Sequence, residues 1–198
     1  MYRLLVCGEW ACFPRPEFAV DLVSHEAMSP LAARGILDSI HWRPAVRWDI
    51  ARISILHPIQ LLERASAANE HRDLRGGSRV IALMNVAYLI EASLRLTPQA
   101  GDQDRLSGHR QMFERRVAKN QPFRRPYFGL RECVASFRLL AVDEPSPACP
   151  EELRGDRDWG WLGYDLDDSR DRTIRYFRAH SSDGVITVPG ENEMDFFG

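Results

Sequence analysis

Lysine is almost missing from this 198-residue sequence: Lys119 is the one lysine among 26 basic residues, and the others are arginines. The sequence also lacks any run of 18 apolar residues, which argues against a membrane-spanning helix. Its first residues form only a short apolar segment without a small-residue cleavage pattern, so we do not expect a signal peptide. These absences predict a cytoplasmic protein that does not associate with membranes.

Cysteine is scarce, and the common cofactor motifs are absent. The four cysteines match no zinc-binding spacing, so we predict reduced, buried thiols and no metal site. The absence of a Walker motif, a Rossmann glycine pattern and a His-Glu-x-x-His helix argues against nucleotide hydrolysis, dehydrogenase chemistry and zinc-dependent hydrolysis. We accordingly expect no cofactor.

The charged residues are distributed unevenly along the chain. Residues 28–138 carry 18 basic and 10 acidic side chains, a net charge of +8, whereas residues 139–198 carry 6 and 14, a net charge of −8. A basic body with an acidic tail favours an anionic partner for the body. Arginine suits RNA, because its guanidinium group binds phosphate and stacks on bases.

Hydrophobic periodicity predicts five strands and two helices in the first 142 residues. Ser29 and Pro30 are typical of a helix start, and this helix must end before Pro44. A second, amphipathic helix is predicted over 104–119, and residues 62–79 read as a flexible excursion or hairpin loop. The predicted strands are 2–7, 18–24, 45–59, 80–96 and 130–142.

The order β–β–α–β–β–α–β predicts an α+β fold of the ferredoxin-like or RRM-like type. We assign residues 1–140 to this RNA-binding domain. Residues 141–198 are predicted to form an acidic linker and a small C-terminal antiparallel β extension, with a hairpin turn at Asp183 and Gly184.

Two histidines have the setting that metal-independent RNA cleavage needs, since that reaction requires proton transfers and a cationic surround for the phosphate. His109 lies in the first turn of the arginine-rich second helix; the alternative is an ordinary surface histidine. His41 lies between the first helix and the next strand; the alternative is a residue that only caps the helix.

Three segments of the sequence resemble a known family: "SPLAARGILDSIHWRPAVRWDIARISILHPI", "NVAYLIEASLRL" and "GHRQMFERRVAKNQPFRRPYFGLREC". They are similar, in order, to the subtype I-C CRISPR-associated Cas-five proteins of the d branch. The resemblance implies an RRM-like endoribonuclease that needs no metal and cuts precursor CRISPR RNA within its repeat. It also implies that the protein stays on the 5′ handle of the product in the Cascade effector.

The resemblance also implies a site. The family uses a tyrosine after the first helix and a Lys-His pair before the "MF-x-RR" helix. In this chain these positions fall on His41, Gly108 and His109, so the tyrosine and the lysine are replaced. We therefore predict that His109 and His41 share the proton transfers and that Arg105 or Arg110 supplies the charge of the missing lysine.

The predicted RNA contacts are Arg34, Arg43, Arg47, Arg105, Arg110, Arg115, Arg116, Arg124 and Arg125, although some of the first three could instead pair with Asp38 or Asp49. The predicted partners are CRISPR RNA, through its repeat hairpin and 5′ handle, the Cascade backbone and large subunits, and target DNA only through that complex. Two alternatives stay open: a non-catalytic Cascade subunit that grips the 5′ handle, and a general RRM-type RNA-binding protein.

Overall fold

The computed structural model describes residues 1–18, 21–64, 79–166 and 173–190. Within these ranges the chain forms nine strands and two α-helices. In chain order they are β1 (Tyr2–Ala11), β2 (Leu22–Val23), α1 (Pro30–Ile40), β3 (Val46–Ile55), β4 (Leu61–Arg64), β5 (Val80–Leu96), α2 (Leu106–Ala118), β6 (Ser136–Leu139), β7 (Asp156–Leu166), β8 (Ile174–Ser182) and β9 (Val185–Thr187).

The nine strands form one sheet, in the order β6-β1-β5-β3-β9-β8-β7, with β2 and β4 both paired to β5. All described pairings of named strands are antiparallel except that of β2 with β5. The predicted α+β class is therefore confirmed. The short strand β9 pairs with β3 and joins the C-terminal strands to the main sheet. The division into domains at residue 140 stays a prediction.

The helix α1 forms where its local sequence predicts it. The Ala32 amide donates to Ser29 Oγ at 3.2 Å, and Pro30 is the first helical residue. The helix packs on β3 and β7 and buries Ile36, Leu37 and Ile40 among other side chains. It ends at His41, whose extended backbone turns the chain toward β3.

The helix α2 is held by an aromatic cluster. Phe113 is fully buried, and its ring centroid lies 4.6 Å from that of Trp48 and 5.0 Å from that of Tyr2. Phe113, with the buried Val117, anchors this otherwise polar helix to the sheet. Because residues four apart share a helix face, His109 lies one turn before Phe113 on the side that meets α1.

The strand predicted over 130–142 is wrong in its first half. Residues 126–135 form a turn, in which the Phe128 amide donates to the Cys133 carbonyl at 2.7 Å. Gly129 has φ +76°, and a Cβ there would lie 1.7 Å from the carbonyl oxygen of Cys12. The "PYFG-x-RE" segment therefore closes tightly on the end of β1, and only Ser136–Leu139 joins the sheet.

Other expectations are met in part. The strand predicted over 18–24 is reduced to Leu22–Val23, and most of the predicted 62–79 loop, residues 65–78, lies outside the described residues. Asp183 and Gly184 both have positive φ, as the predicted hairpin turn requires. All four cysteines are free thiols, but only Cys12 and Cys133 are buried; Cys7 and Cys149 are partly exposed. In the parts of the chain that the structure describes, no helix is long and apolar enough to cross a membrane.

Candidate active site

The fold brings the two predicted histidines, 68 residues apart in the chain, into direct contact. His41 Nε2 lies 3.1 Å from His109 Nδ1, and the ring centroids are 5.3 Å apart. His41 is almost completely buried, at 2% exposure, whereas the His109 side chain is 13% exposed and borders a groove. His109 is therefore the member of the pair that a substrate can reach.

Hydrogen bonds to the end of α1 fix the position of His41. The last carbonyls of a helix have no partner within it, and here other segments supply one. The Arg124 amide donates to the Ser39 carbonyl at 2.8 Å, and Arg116 Nη1 donates to the Ile40 carbonyl at 2.8 Å. Trp48 Nε1 donates to the carbonyl of His41 itself at 3.2 Å. His41 caps the helix with its backbone N–H, so its imidazole ring can contact His109 instead.

The contacts at both ends of the pair determine which nitrogens carry protons. Arg116 Nη1 lies 3.3 Å from His41 Nδ1, and His109 Nε2 lies 3.1 Å from Asp104 Oδ1. A guanidinium group only donates and a carboxylate only accepts, so His41 Nδ1 and His109 Nδ1 are acceptors. The hydrogen bonds therefore run in one direction, from Arg116 through His41 and His109 to Asp104.

Burial and positive charge keep His41 neutral. Burial, and then the nearby Arg116, His109 and Arg43, lower the pKa of His41 to about 4. At the other end, the Gly101 amide and His109 lower the pKa of Asp104, so Asp104 is ionised at neutral pH. At neutral pH, therefore, His41 is uncharged beside the cation Arg116, and Asp104 at the other end is an anion.

A neutral buried histidine makes stability depend on pH. Because the folded-state pKa of His41 lies below its unfolded value, its contribution is present above about pH 6.5 and is lost as the pH falls toward about 4. Between about pH 7.5 and about pH 5 the loss is about 2 kcal/mol. We expect His41→Gln to remove this part of the pH dependence, as measured by urea unfolding at the two pH values.

The matched control is His180→Gln, at a histidine on β8 whose side chain is 62% exposed. It should leave the pH dependence of unfolding unchanged. A wild-type pH dependence that survives in His41→Gln would contradict the burial of a neutral imidazole.

A groove of about 390 Å³ opens beside the histidine pair. Three of the predicted RNA-contacting arginines, Arg43, Arg105 and Arg116, line it. Gly108 also lines it, and a Cβ placed there would have no heavy atom within 4 Å, so the position is open to a longer side chain. Positive charge around a reachable imidazole suits a phosphodiester.

The other predicted arginines lie elsewhere. Arg110, Arg115 and Arg125 are exposed, and the guanidinium of Arg124 lies 5.4 Å from the ring centroid of Phe123. None of these four lines the groove.

Arg34 requires a correction, and Arg47 lies beside it. Both form ion pairs with Asp165 of β7, and Arg34 also donates to the Trp48 carbonyl at 2.9 Å. Neither Asp38 nor Asp49 forms an ion pair with them; Asp49 pairs with Arg95. Arg34 is buried and held by a buried carboxylate, so it is not available to RNA and we remove it from the predicted contacts. Arg47 is only partly buried, and its contact with RNA stays a prediction.

The sequence reasoning missed Asp104 and the exposed aromatic residues near α1. Asp104 was visible as an acidic residue five positions before His109, but five-residue spacing is not a helical neighbour spacing. Trp42, beside the end of α1, is 49% exposed. Among the described residues, no group of three His, Cys, Asp or Glu side chains is placed to hold a metal ion.

Comparisons with known proteins agree on one family. A family model described as Cas_Cas5d, CRISPR-associated protein (Cas_Cas5), matches residues 1–189. A protein of Mannheimia succiniciproducens named CRISPR pre-crRNA endoribonuclease Cas5d is 37% identical over 94% of both chains. A protein of the same name from Thermus thermophilus is 40% identical over 68% of this chain and 62% of its own.

Solved structures support the fold. A crystal structure of a CRISPR-associated protein superposes with a TM-score of 0.80 at 21% identity, covering 98% of this chain and 94% of the other. A functionally uncharacterized protein from Streptococcus mutans superposes with a TM-score of 0.75 at 19% identity, covering 97% and 93%. At these identities the likeness concerns the fold alone.

Proposed function

Since the chain belongs to the Cas5d family of CRISPR-associated proteins, we propose that it is a cytoplasmic endoribonuclease that cuts precursor CRISPR RNA within its repeat without a metal ion. The observation that carries this proposal is the contact between His41 and His109 beside an arginine-lined groove. The product then stays bound by its 5′ handle as part of a Cascade effector.

The reaction needs one proton accepted and one donated. The 2′-oxygen of the RNA attacks the adjacent phosphorus and loses its proton, while the bond from phosphorus to the 5′-oxygen breaks and that oxygen gains a proton. The products are a 2′,3′-cyclic phosphate and a free 5′-hydroxyl. The histidine pair takes up the first proton and returns one to the 5′-oxygen, so its charge is unchanged after the cut.

The incoming phosphate makes the pair ready for this exchange. In the structure, Asp104 accepts from His109 Nε2. An incoming phosphate repels this carboxylate, and one of its oxygens takes the place of Asp104 beside His109 Nε2. The same phosphate attracts Arg116 away from His41 Nδ1, which frees that nitrogen to carry a proton. His41 can then carry its proton at Nδ1 and accept at Nε2 from His109 Nδ1, which leaves His109 Nε2 without a proton. His109 Nε2 takes the proton of the 2′-oxygen, so that His109 holds two protons, and it then returns one to the 5′-oxygen. His41 thus acts through His109.

The charge of the absent lysine is supplied by Arg105, which lines the groove, rather than by Arg110, which does not. We expect Arg105→Ala to lower the single-turnover cleavage rate about tenfold, because one cation beside the phosphate is lost. Adding Gly108→Lys to this variant should restore most of the rate, since the open space at Gly108 admits the side chain.

The matched control for this pair of changes is Arg178→Ala, at an exposed arginine of β8 that pairs with Asp158. It should cleave at the wild-type rate. If Arg105→Ala cleaves normally, or if Gly108→Lys fails to rescue it while both variants still bind the repeat, Arg105 does not replace the lysine.

The direct test of the proposed function is cleavage of the cognate repeat RNA in the presence of EDTA. Production of a 2′,3′-cyclic phosphate end supports it. A second candidate is a non-catalytic subunit that only grips the 5′ handle, and glycine in place of the family's lysine at position 108 favours it. Tight binding of the repeat with no cleavage, with or without divalent ions, would establish this second function instead.

A further inference from the structure

A second groove lies between α1 and residues 122–127. It has a volume of about 290 Å³. Trp42, Phe123 and Tyr127 line it and are 49%, 53% and 40% exposed, so three aromatic rings face solvent at one place. Arg124 lines the same groove, with its guanidinium 5.4 Å from the Phe123 ring centroid. Exposed aromatic rings interleaved with arginine are typical of surfaces that stack unpaired bases.

One carboxylate lies in this basic and aromatic groove, that of Asp38 on α1. No group in the described parts of the chain donates a hydrogen bond to it, although the positive charges of Arg34 and Arg47 stabilise its ionised form. Partial burial raises the pKa of Asp38 to about 6, so its ionised form is held at neutral pH against a desolvation penalty. An anion that repels phosphate would weaken RNA binding unless it recognises something other than the backbone.

The base that suits an unsatisfied carboxylate is guanine. Its Watson–Crick edge carries two neighbouring donors, N1–H and the 2-amino group, which match the two oxygens of a carboxylate. Adenine and cytosine each offer one amino group there, and uracil offers one N–H. We propose that the groove between α1 and residues 122–127 binds an unpaired guanine of the RNA, stacked on its aromatic rings and read by Asp38.

The groove lies close to the cleavage site, which gives the bound guanine its place in the substrate. Trp42 directly follows His41, and the guanidinium of Arg116 lies 5.7 Å from the Phe123 ring centroid while it donates to the Ile40 carbonyl. The guanine therefore belongs to a nucleotide beside the scissile phosphate. This position, unlike the binding itself, rests on the proposed function.

The test uses five-nucleotide RNAs with uridines around a central guanosine, inosine or adenosine, titrated into the whole protein. Inosine lacks only the 2-amino group, and a hydrogen bond to a charged group is worth about 1.5–3 kcal/mol. We expect the wild type to bind the guanosine RNA at least about tenfold more tightly than the inosine RNA. In Asp38→Asn this difference should disappear, while affinity for the adenosine RNA equals or exceeds that of the wild type, because a repelling anion is removed.

The control is Asp49→Asn, at an exposed aspartate of β3 that pairs with Arg95. It should keep the full preference for guanosine. The melting temperature of Asp38→Asn should equal or exceed that of the wild type, because a partly buried anion is removed; a lower one would assign Asp38 to the support of Arg34 and Arg47. Equal affinity of the wild type for guanosine and inosine, or a preference that survives in Asp38→Asn, would overturn the proposal.

These outcomes are separate from those of the proposed function. A protein that cleaves the repeat in EDTA but shows no preference for guanosine has the nuclease site without the guanine site. A protein that prefers guanosine through Asp38 but never cleaves has the guanine site alone.

Discussion

Replacement of His109 by alanine is expected to lower the single-turnover rate of repeat cleavage by about 10²–10⁴-fold. The affinity for the repeat should change by less than about threefold, because the arginines that line the groove remain. His109 is the histidine of the pair that reaches the groove, and its Nε2 is the nitrogen that faces an anion. The measurement is cleavage of labelled repeat RNA with excess protein in EDTA.

His41 should behave as a residue that acts through His109. His41→Ala removes the ring that contacts His109 Nδ1 and should lower the rate strongly. His41→Gln keeps a group that can donate to or accept from His109 and should recover part of the rate. The matched control is His180→Ala, at an exposed histidine of β8. Full activity in both His109→Ala and His41→Ala would remove this site from consideration.

Replacement of Asp165 by alanine is expected to destabilise the protein by about 3–5 kcal/mol. Asp165 accepts from Arg34 and Arg47 and lies 3.4 Å from Arg175, so its loss removes the carboxylate that pairs with these cations. For a protein of this size, the melting temperature should fall by about 10 °C, as measured by thermal unfolding.

Asp158 provides the control for this change, because it is an aspartate of the same strand, β7, that pairs with an exposed arginine. Exposed ion pairs contribute little, so Asp158→Ala should leave the melting temperature nearly unchanged. Equal losses in the two variants would show that the burial of the Asp165 cluster is not what stabilises it.

The elements that the sequence predicted well are those with local determinants. The start of α1 depends on Ser29 and Pro30, and its end precedes Pro44, all within the same short segment. The hairpin turn at Asp183 and Gly184 likewise needs only two residues of suitable backbone preference. Such features are readable because neighbouring residues decide them.

The features that the sequence misplaced depend on distant partners. The turn at 126–135 forms because Gly129 packs against the backbone of Cys12, which no alternating pattern in 130–142 reveals. Arg34 pairs with Asp165, which lies 131 residues away in the sequence. The clustering of basic residues could not reveal this partner, and it led to the assignment of Arg34 to RNA. His41 and His109 could each be named from the resemblance and from their setting, but their contact, their tautomers and the role of Asp104 require the fold.

The hydrogen bonds from the end of α2 and the loop after it to the end of α1 matter while the chain is being synthesised. A ribosome releases α1 long before residues 116–124, which hold its last carbonyls and the histidine that follows them. Until that later segment has emerged and folded back, a nascent chain carries two separate imidazoles and no assembled pair. We therefore expect copies truncated before residue 116 to lack the assembled pair and to leave the repeat RNA uncut.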